Sequence, residues 1–282
     1  MHIQWYPGHM ARARRLLREN LKLVDVVIEL LDARIPVSSR NPQIAAILGH
    51  MPRLVVLNKA DLADGAVTLR WLEWFSIRGT PAIAVDSTTG KGLGEVPLLV
   101  EELSNGKIQA LVSRGRRPRS PRCMVVGIPN VGKSLFINAL VGRRVTRTGN
   151  RPGVTRGQQW IRLARGVELL DTPGVLWPKF DDRQIALKLA VTGAIKEEVF
   201  DVEDVAAWLV GWLKEHCPRP LMERYRLEEV PAHGRQVLEL IARRRGLLGA
   251  GGVPDTGRAA IHLLKEFRAG KLGRVTLDEP CG

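Results

Sequence analysis

Cysteine is scarce in this chain. Cys123, Cys217 and Cys281 stand far apart, and no C-x-x-C pair occurs. That spacing argues against a disulfide framework and against a thiolate metal site, and it fits a reducing cytoplasm. Long apolar runs are missing too. No stretch reaches the roughly 18 apolar residues that a membrane-spanning helix needs. Residues 1–20 alternate arginine with apolar residues rather than building a continuous apolar segment, so no signal peptide is expected. Acid is in short supply: 29 Asp and Glu face 43 Lys and Arg, for a net charge of +14. Such an excess calls for a polyanionic partner, nucleic acid above all. Residues 183–282 hold 16 basic and 14 acidic residues, a net of +2, and the rest holds 27 and 15, a net of +12. The excess therefore lies in the first two thirds of the chain and not in a basic tail.

What is present is a series of short apolar runs, each ending in a polar residue or glycine. Val24–Asp32, Arg53–Asn58, Pro81–Asp86, Cys123–Gly127 and Val167–Asp171 share that shape. Runs of this kind read as buried parallel strands with functional C-terminal ends. Cys123 belongs to one of them and should be buried. Gln158 to Leu163 alternates and reads as an edge strand. Helical patterns lie between, over Ala66–Ile77 and Ser134–Val141. The fold class is α/β, with a doubly wound, mostly parallel sheet. A linker is expected over about 106–122, because Ser113–Arg122 holds five arginines, two prolines and no acid.

After residue 182 the period changes. Ile185, Leu187, Leu189 and Val191 lead into Val205, Trp208, Leu209, Trp212 and Leu213. Val237, Leu240 and Ile241, then Ala260, Leu263, Leu264 and Phe267, continue it. The pattern predicts a first domain over 1–182 and a small all-helical domain over 183–282, with Trp208 and Trp212 in its core.

Two motifs carry the chemistry. Gly127-Ile-Pro-Asn-Val-Gly132-Lys133-Ser134 reads G-x-x-x-x-G-K-S between an expected strand and helix. Its backbone amides can wrap phosphates, Lys133 can meet the β- and γ-phosphates, and Ser134 can bind Mg²⁺. Contacts to a nucleotide are expected from Asn130, Val131, Gly132, Lys133, Ser134 and Leu135. Asn58-Lys59-Ala60-Asp61 reads N-K-x-D. Asp61 can accept from guanine N1–H and its 2-amino group, and adenine offers neither. Asn58 would brace the loop and Lys59 would lie along the base. Asp86-Ser87-Thr88 ends the next strand, where a backbone N–H could meet guanine O6. Asp171-Thr-Pro-Gly174 reads D-x-x-G, with Asp171 holding Mg²⁺ through water and Gly174 sensing the γ-phosphate. Pro152-Gly-Val-Thr155 lies between, in a stretch that suits a switch loop, with Thr155 as a ligand for Mg²⁺ and the γ-phosphate.

The base-reading motif precedes the phosphate motif, the reverse of ordinary GTP-binding domains. With all five motifs placed, the chain resembles the circularly permuted GTPases, and in particular the ribosome biogenesis GTPase A family. The likeness runs over essentially the whole chain. It includes Trp5-Tyr-Pro-Gly-His9-Met10, Asp32-Ala-Arg-Ile-Pro36 and Asn130 within the phosphate loop. The resemblance implies a bacterial GTPase acting in late maturation of the large (50S) ribosomal subunit, with the helical domain binding rRNA and the precursor particle. A monomer is expected. Many GTPases place a water-orienting Gln just after D-x-x-G. Here Val175 and Leu176 follow. The family's proposed substitute falls on His9, which could instead cap a helix or bind RNA. Asn130 in similar GTPases accompanies a bound K⁺, and here it could also simply shape the loop. Arg151 and Arg156 are further candidate charge donors. Two other readings stay open: a non-catalytic, GTP-sensing RNA-binding factor, and a permuted GTPase of the small subunit. A tRNA-modification GTPase would carry the ordinary motif order.

Overall fold

The computed structural model describes residues 15–142, 160–170 and 182–280. These residues fall into two compact units. The first contains a six-stranded sheet, ordered β3-β2-β1-β4-β6-β5. Its strands are β1 (Val26–Asp32), β2 (Arg53–Asn58), β3 (Ala82–Val85), β4 (Arg122–Val126), β5 (Trp160–Arg162) and β6 (Glu168–Leu170). All pairs are parallel except β5 with β6, which is antiparallel at the edge. The expected edge strand and the five buried runs are therefore found within a residue or two of their expected limits.

The strands are buried because both sheet faces are covered, as continuous apolar runs require. Register sets Val27, Glu29 and Leu31 of β1 on one face with Val55 and Leu57 of β2 and Met124 and Val126 of β4. Leu17 and Leu21 of the helix over 15–21 (α1), and Ile44 and Leu48 of α2 (Pro42–Leu48), pack around Val27 and Met124. Val67, Trp71 and Phe75 of α3 (Gly65–Ile77) pack around Leu31, Val55 and Leu57. Glu29 sits between these clusters and is held by Arg40 and Arg53 at 3.3 and 3.1 Å. The other face, with Val26, Ile28, Leu30, Leu54 and Val56, is equally buried. Helix α4 (Val96–Val112) packs against β1 and β2.

The two halves of the permuted sheet join through α4 and the segment after it. The expected linker over about 106–122 is shorter, because α4 continues to Val112. Val96, Val100 and Ser104 give α4 a buried side, and that packing outweighs Gly106 within the helix. The joint is pinned at Asp25, whose carboxylate accepts from Arg119 at 2.7 and 2.8 Å and from the Arg122 amide at 3.0 Å.

The second unit spans 182–275 among the described residues. It contains α6 (Arg183–Val191), α7 (Val202–His216), α8 (Pro218–Tyr225), α9 (Gly234–Arg244) and α10 (Thr256–Arg268). Helix α5 (Lys133–Val141) belongs to the first unit. Asp182, Asp201 and Asp255 cap α6, α7 and α10 by accepting from first-turn amides. Val205, Leu209 and Leu213 of α7 meet Val237 and Ile241 of α9 and Ala260, Leu263 and Leu264 of α10, all of them buried. A Cβ on Gly234 would lie 2.8 Å from the Ala207 backbone, so α9 can approach α7 only as glycine.

Two expectations need correction here, and one helix is new. Trp208 and Trp212 are half-buried rather than core. They lie one step off the stripe of Val205, Leu209 and Leu213; Trp208 Nε1 donates to Gln184, and Trp212 stacks on His216. Helix α8 was not expected; Pro218 at its first turn and the Leu221–Tyr225 pair were the available signals. The helical domain also does not extend to residue 282. The chain leaves it at Val275, and residues 276–280 belong to the sheet unit.

Candidate guanine-nucleotide site

Strand β4 runs into the loop Gly127–Ser134, which ends in α5. Gly127 lies against β1, where a Cβ would stand 2.6 Å from the Leu30 carbonyl. Asn130 (φ +57°) and Gly132 (φ +99°) turn the loop through left-handed conformations. Gly132, the N-cap of α5, has no side chain with which to cap the helix. The loop thus leads into a helix N-terminus, where the dipole favours an anion. Lys133 Nζ donates to the Gly127 and Ile128 carbonyls at 2.9 and 2.6 Å. Burial pushes its ammonium down to about 8. Val131 is buried, Ser134 half-buried and Leu135 exposed.

The base-reading residues stand at the ends of β2 and β3. Asn58 Nδ2 donates to the Val131 carbonyl at 2.8 Å, and Asn58 Oδ1 accepts from Ser87 Oγ at 2.6 Å. One amide thus ties three motifs together. Lys59, at φ +59°, crosses to the phosphate loop and donates to the Asn130 carbonyl at 2.9 Å. Asp86 turns the loop after β3 by accepting from the Thr88 amide at 2.7 Å and Thr89 Oγ1 at 2.6 Å. Asp61 is half-buried, close enough for its charge to help raise the pKa of Arg34.

Two residues without an assigned role in the sequence reading enter here. Asp32 ends β1 in register with Asn58. Its carboxylate accepts from Arg34 Nε and Nη2 at 2.9 and 2.7 Å and from Lys59 Nζ at 3.0 Å. Burial alone would raise the Asp32 carboxyl, but Arg34 and Lys59 outweigh it and hold it well below the usual carboxylate range. An acid closing an apolar strand beside the N-K-x-D strand was the legible signal. His9, Arg151, Thr155, Arg156, Asp171, Gly174, Val175 and Leu176 lie outside the described residues.

The arrangement joins the G-x-x-x-x-G-K-S loop to the N-K-x-D strand end. Comparison with known proteins agrees. Residues 122–225 match the family described as "50S ribosome-binding GTPase". Ribosome biogenesis GTPase A of Bacillus cereus is 48% identical over 280 residues, covering 99% of this chain and 95% of that protein. The protein of that name from Thermotoga maritima is 34% identical over 278 residues, covering 99% and 95%. Mitochondrial ribosome-associated GTPase 1 of Mus musculus is 35% identical, covering 98% and 90%. A solved structure of nucleotide-bound YlqF from T. maritima matches with a TM-score of 0.64 at 29% identity, over 95% of this chain and 98% of that one. With its base-reading strand ahead of its phosphate loop, and with such identity over nearly its full length, the chain is a circularly permuted GTPase belonging to the ribosome biogenesis GTPase A family.

Proposed function

We propose that this GTPase acts in late assembly of the large ribosomal subunit, in the cytoplasm and as a monomer, binding the precursor particle and its rRNA when GTP is bound and leaving after hydrolysis. The observation that carries the nucleotide part is the Asn58 junction, which makes base reading and phosphate binding one site. The partner rests on the names of the relatives and on the net +12 outside residues 183–282. The helical unit would be the module that holds the particle.

Within the site, Lys133 meets the β- and γ-phosphates, Gly174 senses the γ-phosphate, and Asp61 reads guanine. Ser134, Thr155 and Asp171 form an all-oxygen set, the donor chemistry Mg²⁺ takes. Ser134, the described member, stands in the first turn of α5 beside the phosphate loop. When bound, Mg²⁺ would neutralise charge on the phosphates. Asn130 would accompany K⁺ at the same loop. With Val175 where a water-orienting Gln often stands, His9 positions the attacking water. Thr155 couples the nucleotide to a particle-binding surface.

Purified ribosomal subunits incubated with the protein and GDP, GTP or a non-hydrolysable analogue test this reading. Preferential capture of the large subunit with the analogue is expected; equal capture with GDP overturns the switch. Large-subunit particles should also stimulate hydrolysis in K⁺ buffer. His9→Ala should suppress that stimulation while sparing nucleotide affinity, and equal loss of both would assign His9 a structural role.

A further inference from the structure

We propose that residues 276–280 form a strap that positions the guanine-reading loop, and that Thr276 and Asp278 thereby act as positioning residues for guanine selectivity. The proposal rests on the reading of Asp61 as the guanine acceptor.

Thr276, Leu277 and Asp278 are only 4%, 3% and 5% exposed. The strap grips two segments. One is the turn after β1. The Asp278 carboxylate accepts from the Ser38 amide at 2.7 Å and Ser38 Oγ at 2.8 Å, and the Leu277 amide donates to the Arg34 carbonyl at 2.7 Å. Arg34 in turn holds Asp32, and Asp32 holds Lys59. The other segment is the start of α3. The Asp64 amide donates to Thr276 Oγ1 at 3.0 Å, and Trp71 Nε1 donates to the Asp278 carbonyl at 3.1 Å. Asp64 is the N-cap of α3 and lies three residues beyond Asp61. Lys59 and Asp61 are therefore held from both sides by contacts that converge on the strap. A buried carboxylate that only closed the core could be replaced by an apolar group; this one accepts two hydrogen bonds from the turn that carries Arg34.

Inosine diphosphate (IDP) isolates the effect, because it lacks the 2-amino group that Asp61 accepts and keeps the N1–H, O6 and phosphates. Binding of GDP and IDP is measured by calorimetry on the full chain and on Thr276→Val, Thr276→Ser and Asp278→Ala, with a thermal melt of each. The wild-type chain should prefer GDP. Thr276→Val and Asp278→Ala should lose about tenfold in GDP affinity and less in IDP affinity, so that the ratio narrows. Thr276→Ser keeps the acceptor oxygen and should keep the wild-type ratio. A GDP-to-IDP ratio unchanged in both Thr276→Val and Asp278→Ala overturns the strap as a positioning element, whatever happens to melting temperature. Should Asp278→Ala fail to fold, Thr276→Val alone decides. A wild-type chain that binds IDP as well as GDP overturns the Asp61 reading itself, and the strap proposal falls with it.

Discussion

At Gly132 a Cβ would stand 2.5 Å from the Asn58 side-chain nitrogen, at a φ of +99°. Gly132→Ala must therefore break the Asn58 junction or distort the loop. Nucleotide affinity should fall by two orders of magnitude or more, about 3 kcal/mol, with the helical unit's hydrogen exchange unchanged. Asp61→Asn exchanges one acceptor for a donor, which suits the C2 carbonyl of xanthine and not the 2-amino group of guanine. Competition binding should show XDP preferred over GDP, with GDP affinity down by roughly 10²-fold or more. Lys133 adds a pH dependence. Burial brings its ammonium down to about 8. A phosphate partner raises that value, so the bound state keeps a proton that the free state loses above pH 8. GDP affinity should fall about fivefold from pH 8 to 9, with proton uptake on binding. Calorimetry in buffers of different ionisation enthalpy reads that uptake directly. Gly132, Asn58 and Lys133 were legible from the motifs, because each motif is a few consecutive residues whose chemistry is local. Ser87 as the partner of Asn58 was not, since the pairing depends on two strand ends meeting.

The elements of the helical unit depend on one buried acid. Glu266 of α10 accepts from Arg224 Nε at 3.0 Å and Tyr225 Oη at 2.8 Å on α8. Burial would raise its carboxyl, but Arg224, Tyr225 and His262 outweigh that and bring it down to about 2. Burial also lowers His262 and raises Tyr225. A depressed acid contributes stability that is present above its unfolded value near 4.5. That contribution is lost as the pH falls from there toward about 2. Glu266→Gln should destabilise the α8–α10 contact by roughly 1–3 kcal/mol at pH 7. The difference from the wild type should shrink below pH 4. Hydrogen exchange in α8 and α10 across that range checks both. Strands and long helices were visible in the sequence because burial on both sheet faces demands continuous apolar runs, and burial of one helix face imposes a period of 3.6. Trp208 and Trp212 misled, since their i, i+4 spacing suggested a core that Val205, Leu209 and Leu213 occupy.

For the whole molecule, the charge and the permutation set the expectations. With 27 basic and 15 acidic residues outside 183–282, binding to ribosomal particles should weaken steeply with salt. Raising salt from 50 to 200 mM should reduce particle binding by a factor of about 10 or more, while GDP affinity changes far less. A sedimentation assay at both concentrations measures the difference. Amino-acid sequence alone determined the strand pattern, the reversed order of Asn58–Asp61 and Gly127–Ser134, and the class of nucleotide. Those properties are written in neighbouring residues, or in the order of segments along the chain. Tertiary structure alone decided that Asn58 reaches Val131 across 73 residues, that Asp32 anchors Lys59, and that Asp278 returns across 240 residues to Ser38. No local period encodes such meetings, because a hydrogen bond between distant residues exists only where the folded sheet and helices bring donor and acceptor within about 3 Å.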